Sequence, residues 1–192
     1  MGPIPKALEE NEMKLRPTSH LILGMVRLGA RSGYAIKKAT DVSTRFFWPM
    51  SLAQVYPELA RLVEAGLLSR DDDSHGSRRR FAYELTAAGE EALQRWLTSS
   101  REEETLFRDE GVLRLFFADN LSVDDQLALV RRLHERAKRD LDHTRTEIVP
   151  LAAALRDNGI RFPERVAQLR AENYERAERW LGALEAELNQ QA

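Results

Sequence analysis

Catalysis needs nucleophiles, proton carriers or metal ligands set at workable spacings, and this sequence supplies almost none. It contains no cysteine, which excludes thiolate zinc sites, iron–sulfur clusters, disulfides and a cysteine nucleophile. His20, His75, His134 and His143 show no metal-ligand spacing, and His134 and His143, nine residues apart, share no helix face well. No Gly-rich phosphate loop, HExxH or nucleophile elbow occurs. The carboxylates follow helix surfaces instead of converging on a cleft. The expectation is a protein that is not an enzyme and has neither metal nor cofactor.

What remains is binding chemistry. Arg78, Arg79 and Arg80 stand together in the segment RDDDSHGSRRR. Three adjacent guanidiniums suit a phosphate backbone, where each neutralised phosphate releases a counterion. The plainer reading is a solvated loop in which they balance Asp71, Asp72 and Asp73. Whole-chain charge does not decide the matter: 29 basic against 31 acidic side chains leave a net of −2. Resolved along the chain, residues 1–100 carry 14 basic and 12 acidic side chains (net +2), and residues 101–192 carry 15 and 19 (net −4).

The elements that must carry these residues follow from periodicity. The 192 residues, 43% apolar and 31% charged, suffice for one or two domains with a real core. No apolar run approaches the roughly 18 residues of a membrane span and no secretory leader opens the chain, so a soluble cytoplasmic protein is expected. Residues 1–13 read as a mobile arm, with Met13 a second candidate start. Thr18 or Ser19 is expected to cap a helix carrying Leu21, Ile22, Met25 and Val26. Ser32-Gly33 opens a second helix, with Tyr34, Ile36 and Ala39 inward and Lys37 and Lys38 outward. After the aromatic turn Phe46-Phe47-Trp48-Pro49, Ser51 caps a third. Its Leu52, Val55, Leu59, Leu62 and Val63 share one face, Ser51, Gln54, Glu58 and Arg61 occupy the other, and Gly66 ends it. Pro57 lies inside that helix and costs at least one backbone hydrogen bond. A hairpin follows, with strands at Leu67–Ser69 and Phe81–Leu85. Thr86 then caps a fourth helix that buries Ala88, Ala92, Leu93, Trp96 and Leu97.

Three helices, a hairpin and a fourth helix give the order of a winged helix-turn-helix. In that arrangement the third helix presents its polar face to the DNA major groove and the hairpin tip reaches phosphate or the minor groove. Candidate DNA contacts are therefore Ser51, Gln54, Tyr56 and Arg61 on the third helix, Lys37 and Lys38 on the second, and Arg78, Arg79 and Arg80 at the tip.

Residues 99–105 read as a linker, and 106–192 as helical. A long helix from the Ser122 cap has seam positions Val130, His134, Ala137, Leu141, Thr144, Ile148, Leu151 and Leu155, a 4,3,4,3,4,3,4 spacing. Pro150 is expected to kink it and Asn158-Gly159 to end it. Pro163 opens the last helix, with Val166, Leu169, Asn173, Ala177, Trp180, Leu184 and Leu188 as its stripe. Such narrow stripes call for a further surface, which a homodimer supplies. The fold class is thus mainly α with a small β-hairpin: a winged helix-turn-helix domain over 14–98 and a C-terminal antiparallel helical dimerisation domain.

LRPTSHLILGMV, the Ser-Gly-Tyr of RSGYAIKKA, FFWPMSLAQVYPELARLVEAGLL, RRRFAYELTAAGEEAL and LFRDEGVLRLFFAD resemble the PadR family of bacterial transcription regulators. The likeness is greatest to its branch with a long helical C-terminal region, which includes virulence-gene activators. The resemblance implies a dimer joined through C-terminal helices on a palindromic operator, usually as a repressor. It places Ser51–Tyr56 in the major groove and Arg78–Arg80 on phosphate, although Asp71–Asp73 would repel phosphate unless turned away. Some relatives respond to phenolic acids or hydrophobic drugs, which makes Phe46, Phe47, Trp48, Trp96, Phe116 and Phe117 candidate lining for an effector pocket. The rival reading from a different class is a winged-helix protein-interaction module without DNA binding.

Overall fold

The first helix, α1 (Pro17–Arg27), is capped by Arg16, not by Thr18 or Ser19. Pro17 takes the first helical position, where its missing N–H is one that no helical carbonyl would have bonded. Ser19, a turn inside, instead accepts a hydrogen bond from the Arg16 amide at 3.0 Å. The computed structural model describes residues 15–72, 81–100 and 108–191, and it falls into two compact units, residues 1–101 and 102–192. The expected arm (1–13), the arginines Arg78, Arg79 and Arg80, and residues 101–105 of the expected linker lie outside the described residues.

In the first unit α2 (Gly33–Val42) is capped by Ser32, whose hydroxyl accepts from the Ala35 amide at 3.1 Å. Its buried face is Gly33, Ile36 and Thr40, and Tyr34 is 68% exposed. The expectation that Tyr34 points inward is corrected: it stands two residues from Ile36, some 200° around the helix. Helix α3 (Leu52–Glu64) buries Val55, Leu59 and Leu62 completely and ends at Gly66, with φ +69°. Leu52, at its first position, is exposed instead of sharing that face. Strands β1 (Leu68–Asp72) and β2 (Phe81–Leu85) pair antiparallel, Leu68 facing Leu85 and Asp72 facing Phe81. Strand β1 runs three residues further than Leu67–Ser69 predicts. The Tyr83 amide also donates to Arg31 O at 2.8 Å, tying the hairpin to the α1–α2 turn.

Helix α4 (Ala87–Leu97) starts at Thr86, whose hydroxyl accepts from the Gly89 amide at 3.1 Å and donates to Gly66 O at 2.7 Å. Gly89, Ala92 and Leu93 form its inner face, so Ala88 and Leu97 stay outside. Trp96 keeps one side in solvent while stacking on His20, with centroids 4.7 Å apart and planes at 9°. Ile22, Leu23, Ile36, Val55, Leu59, Leu62 and Leu68 make the centre of the core.

The second unit contains α5 (Glu110–Phe116), α6 (Val123–His143), α7 (Val149–Ala153) and α8 (Phe162–Gln191). Ser122 caps α6 through the Asp125 amide at 3.2 Å. The seam is continuous in sequence but interrupted in backbone. Thr144–Ile148 forms a π turn in which the Val149 amide reaches back five residues to Thr144 O, and Ala154–Asn158 is 3₁₀ before Gly159 turns left-handed at φ +79°. Pro150, with no amide hydrogen, accounts for the break. Val130, His134, Ala137, Thr144 and Ile148 are buried as expected, whereas Leu151 is exposed.

Helix α8 turns differently from its predicted stripe. Ala167, Ala171 and Leu181 are buried, Ala177, Leu184 and Leu188 pack beside Val130, and Leu169 and Trp180 are 54% and 56% exposed. Polar contacts fix that rotation. The His134 ring lies with Nδ1 2.8 Å from Glu185 Oε2 and Nε2 3.3 Å from Glu178 Oε1. Arg131 donates to Glu185 Oε1 at 3.0 Å and to Asn189 Oδ1 at 2.9 Å. Gly182 leaves room for the imidazole, since a Cβ there would sit 3.1 Å from its Cε1.

Two glycines make the packing testable. A Cβ on Gly89 would come within 2.0 Å of Leu67 O, whereas one on Gly24, inside α1, would meet nothing within 4 Å. Thermal unfolding should therefore show Gly89→Ala destabilised by about 1–3 kcal/mol. Gly24→Ala should gain roughly 0.5–1 kcal/mol. Equal effects would contradict the packing of α4 on the α3–β1 turn.

Candidate nucleic-acid interface

Helix α3 is the element on which the site is built, and its attachment is partly ionic. Glu58 is buried on α3 and faces Ser19 of α1. The Ser19 hydroxyl donates to Glu58 Oε1 and accepts from Arg61 Nη2 at 2.7 Å. Arg61 also donates through Nε to Glu58 Oε2 at 3.1 Å and through Nη2 to Oε1. The hydrogen bond from Arg61, aided by Ser19, outweighs the burial that would raise the Glu58 pKa, and holds its carboxyl below the ordinary range. Two residues expected on the solvent face of α3 are thus its anchor: Glu58 is buried and Arg61 half-buried. The signal was present, because Glu58 lies three residues after Val55 and four before Leu62, which is the spacing of the buried stripe.

The N-terminal end of α3 is held by its own cap and by a ring. Gln54 Oε1 accepts from the Ser51 amide at 2.8 Å and from the Ser51 hydroxyl at 3.1 Å. The ring of Tyr56 lies over Gly33, where a Cβ would come within 2.6 Å of it. Tyr56 is nonetheless half exposed, and Ser51, Ala53, Gln54, Pro57 and Ala60 are exposed with it. On α2, Lys38 is exposed while the Lys37 ammonium is paired with Asp41. Two cations missed in the sequence lie on the hairpin side. Arg70, on β1, stands over the Phe81 ring at 4.5 Å, and Arg31 pairs with Glu84 at 2.8 Å. Asp71 lies on β1 opposite Ala82.

The candidate pocket aromatics do not gather within either unit. Phe46 meets Phe47 edge-on at 4.7 Å, Phe116 meets Phe117 edge-on at 5.1 Å, and Trp96 belongs to His20. Phe47, Trp48, Phe116 and Phe117 are exposed. Among the described residues there is no cluster of histidine and carboxylate groups that could hold a metal ion, and no helix is long and apolar enough to cross a membrane.

Three helices, a two-stranded hairpin and a closing helix, with the third helix presented on a buried anchor, define a winged helix-turn-helix protein. Residues 22–95 match the family described as "Transcriptional regulator PadR-like family". Residues 22–95 are therefore similar to a family whose description is that of transcriptional regulators. Among curated proteins it is 30% identical over 109 residues to "Negative transcriptional regulator PadR" of Bacillus subtilis, an alignment spanning 56% of this chain and 60% of that one. Among solved structures it is similar to B. subtilis PadR in complex with operator DNA, at 25% identity and TM-score 0.81, over 91% of this chain and 98% of that one. The same protein in complex with p-coumaric acid gives TM-score 0.71, also at 25% identity over 91% and 99% of the two chains. The Vibrio cholerae virulence activator AphA gives 0.67 at 26% identity, over 91% and 99%.

The Glu58 anchor has a pH signature. Its folded pKa lies below the unfolded value of 4.5. Its stabilisation is therefore fully present above about pH 4.5 and is lost as pH falls through the folded value. Glu58→Gln should cost about 1–3 kcal/mol at neutral pH. Its stability relative to the unmodified protein should recover as pH drops from about 5 to 3. Parallel pH curves for the two proteins would show that Glu58 bears no such load.

Proposed function

We propose that the protein is a sequence-specific DNA-binding transcriptional regulator, acting in the cytoplasm as a homodimeric repressor on a palindromic operator. The observation that carries this is α3: anchored through Glu58 and its apolar inner face, it leaves Ser51, Gln54 and Tyr56 exposed near its N-terminal end. The likeness to a PadR structure bound to operator DNA supports the same use, and the curated relative's description as a negative regulator supports repression. In this reading Ser51, Gln54 and Tyr56 enter the major groove, and Lys37, Lys38, Arg78, Arg79 and Arg80 serve phosphate. Arg61 serves α3's attachment, because its guanidinium is occupied by Glu58 and Ser19.

The second unit is the proposed dimerisation domain, joined through its helices. Leu113, Phe116, Phe117, Leu151, Leu169 and Trp180 are exposed there, and in this reading they form the interaction face. A second copy supplies the cover by symmetry. A small-molecule effector is a second reading, favoured by the p-coumaric acid complex of the PadR relative.

Fluorescence anisotropy with DNA from the protein's own promoter region tests the central reading. With about six phosphates neutralised, affinity should fall on the order of 10³-fold between about 50 and 200 mM salt. Salt-insensitive binding, or none, would sink the proposal. The dimer has its own test. Phe116, 78% exposed, is changed to Glu, and light scattering should find the mass halved while helicity is kept. An unchanged mass would exclude α5 from the interface.

A further inference from the structure

The outward face of α3 has a composition that narrows what it can read, given the DNA-binding role proposed above. Between Leu52 and Glu64 the sole cation is Arg61, and its Nε and Nη2 are spent on Glu58 and Ser19. The commonest guanine readout, an arginine or lysine on O6 and N7, is therefore not available from this helix. Adenine readout by glutamine needs the amide oxygen to accept from N6 while the amide nitrogen donates to N7. Gln54 Oε1 already accepts twice from Ser51. Its free amide hydrogens can meet any groove-edge acceptor, and so position the helix without naming a base.

What the face does offer is apolar and small. Ala53, Pro57 and Ala60 follow one another at intervals of four and three residues, all exposed, beside exposed Leu52 and half-exposed Tyr56. Those intervals lay a single stripe along the helix. Alanines let the helix axis approach the base edges closely. Pro57 deprives the Ala53 carbonyl of its helical partner, and its ring adds apolar surface to the middle of the stripe. One base alone carries an apolar group in the major groove, the 5-methyl of thymine. We propose that the Ala53–Pro57–Ala60 ridge of α3 reads thymine methyl groups, and that this contact is the main source of base specificity from the helix.

A random-sequence duplex pool selected with the full-length protein supplies the probe. The enriched duplex is then resynthesised with deoxyuridine in place of thymidine, which deletes the methyls without touching the protein. Affinity for the enriched duplex should fall about fourfold for each methyl in contact, while affinity for random duplex stays constant. The variant Ala53→Ser with Ala60→Ser, checked for an unchanged melting temperature, should bring the thymine-to-uracil affinity ratio close to one. Equal binding of the two duplexes, with the enriched one still preferred over random DNA, would overturn the methyl readout and leave DNA binding standing. A ratio unchanged in the variant would overturn it too, by assigning the effect to DNA stiffness. Failure of the pool to enrich would overturn both the readout and the DNA-binding reading.

Discussion

A carboxylate buried between two helices sets the rotation of α3. Glu58 faces Ser19 across the α1–α3 contact, with Arg61 closing the group from the same helix. A buried carboxylate without partners is strongly destabilising. Turning α3 by one residue, about 100°, would move Glu58 away from Ser19 and expose Val55, Leu59 and Leu62. The ionic group and the aliphatic stripe therefore agree on a single orientation. The outer face is then fixed by what the inner face excludes: Ala53, Gln54, Pro57 and Ala60 are left outside. Tyr56 reinforces this by lying over Gly33, so α2 and α3 meet at a spacing that a larger residue at position 33 would disturb.

The second unit solves a different problem with similar means. Its two long helices bury Leu127, Leu129, Val130, Ala137, Ala167, Ala171 and Leu181, a line in which three of the seven are alanines. His134 set between Glu178 and Glu185, with Arg131 reaching Glu185 and Asn189, adds directional contacts that fix the register. The remaining apolar side chains, Phe116 and Trp180 among them, stay at the surface. One unit thus holds a helix in a single orientation, and the other leaves several apolar side chains exposed.

Much of this was legible in the residues. Caps at Ser32, Thr86 and Ser122, the stops at Gly66 and Gly159, and the strand Phe81–Leu85 follow from local chemistry that tertiary packing did not override. The failures share a physical cause. Tyr34, Leu52, Leu97, Leu169 and Trp180 are apolar and sit near a buried stripe, so periodicity alone drew them inward. Burial is decided by what the neighbouring element offers, and these five side chains stay 40% to 68% exposed. The reverse error concerns Glu58 and Arg61, whose charge suggested solvent. A hydroxyl 39 residues earlier in the chain, Ser19, is what permits the burial. No local pattern announces a partner at that distance.

The central claim is that the exposed face of α3 is the surface that meets DNA. Site-specific photo-cross-linking tests it most directly, with p-benzoylphenylalanine placed in turn at Gln54 on α3 and at Glu91 on the exposed side of α4. Irradiated with duplex DNA from its own promoter region, the protein should cross-link from position 54 and not from position 91. Cross-links of equal yield from both positions, or from position 91 alone, would contradict the account.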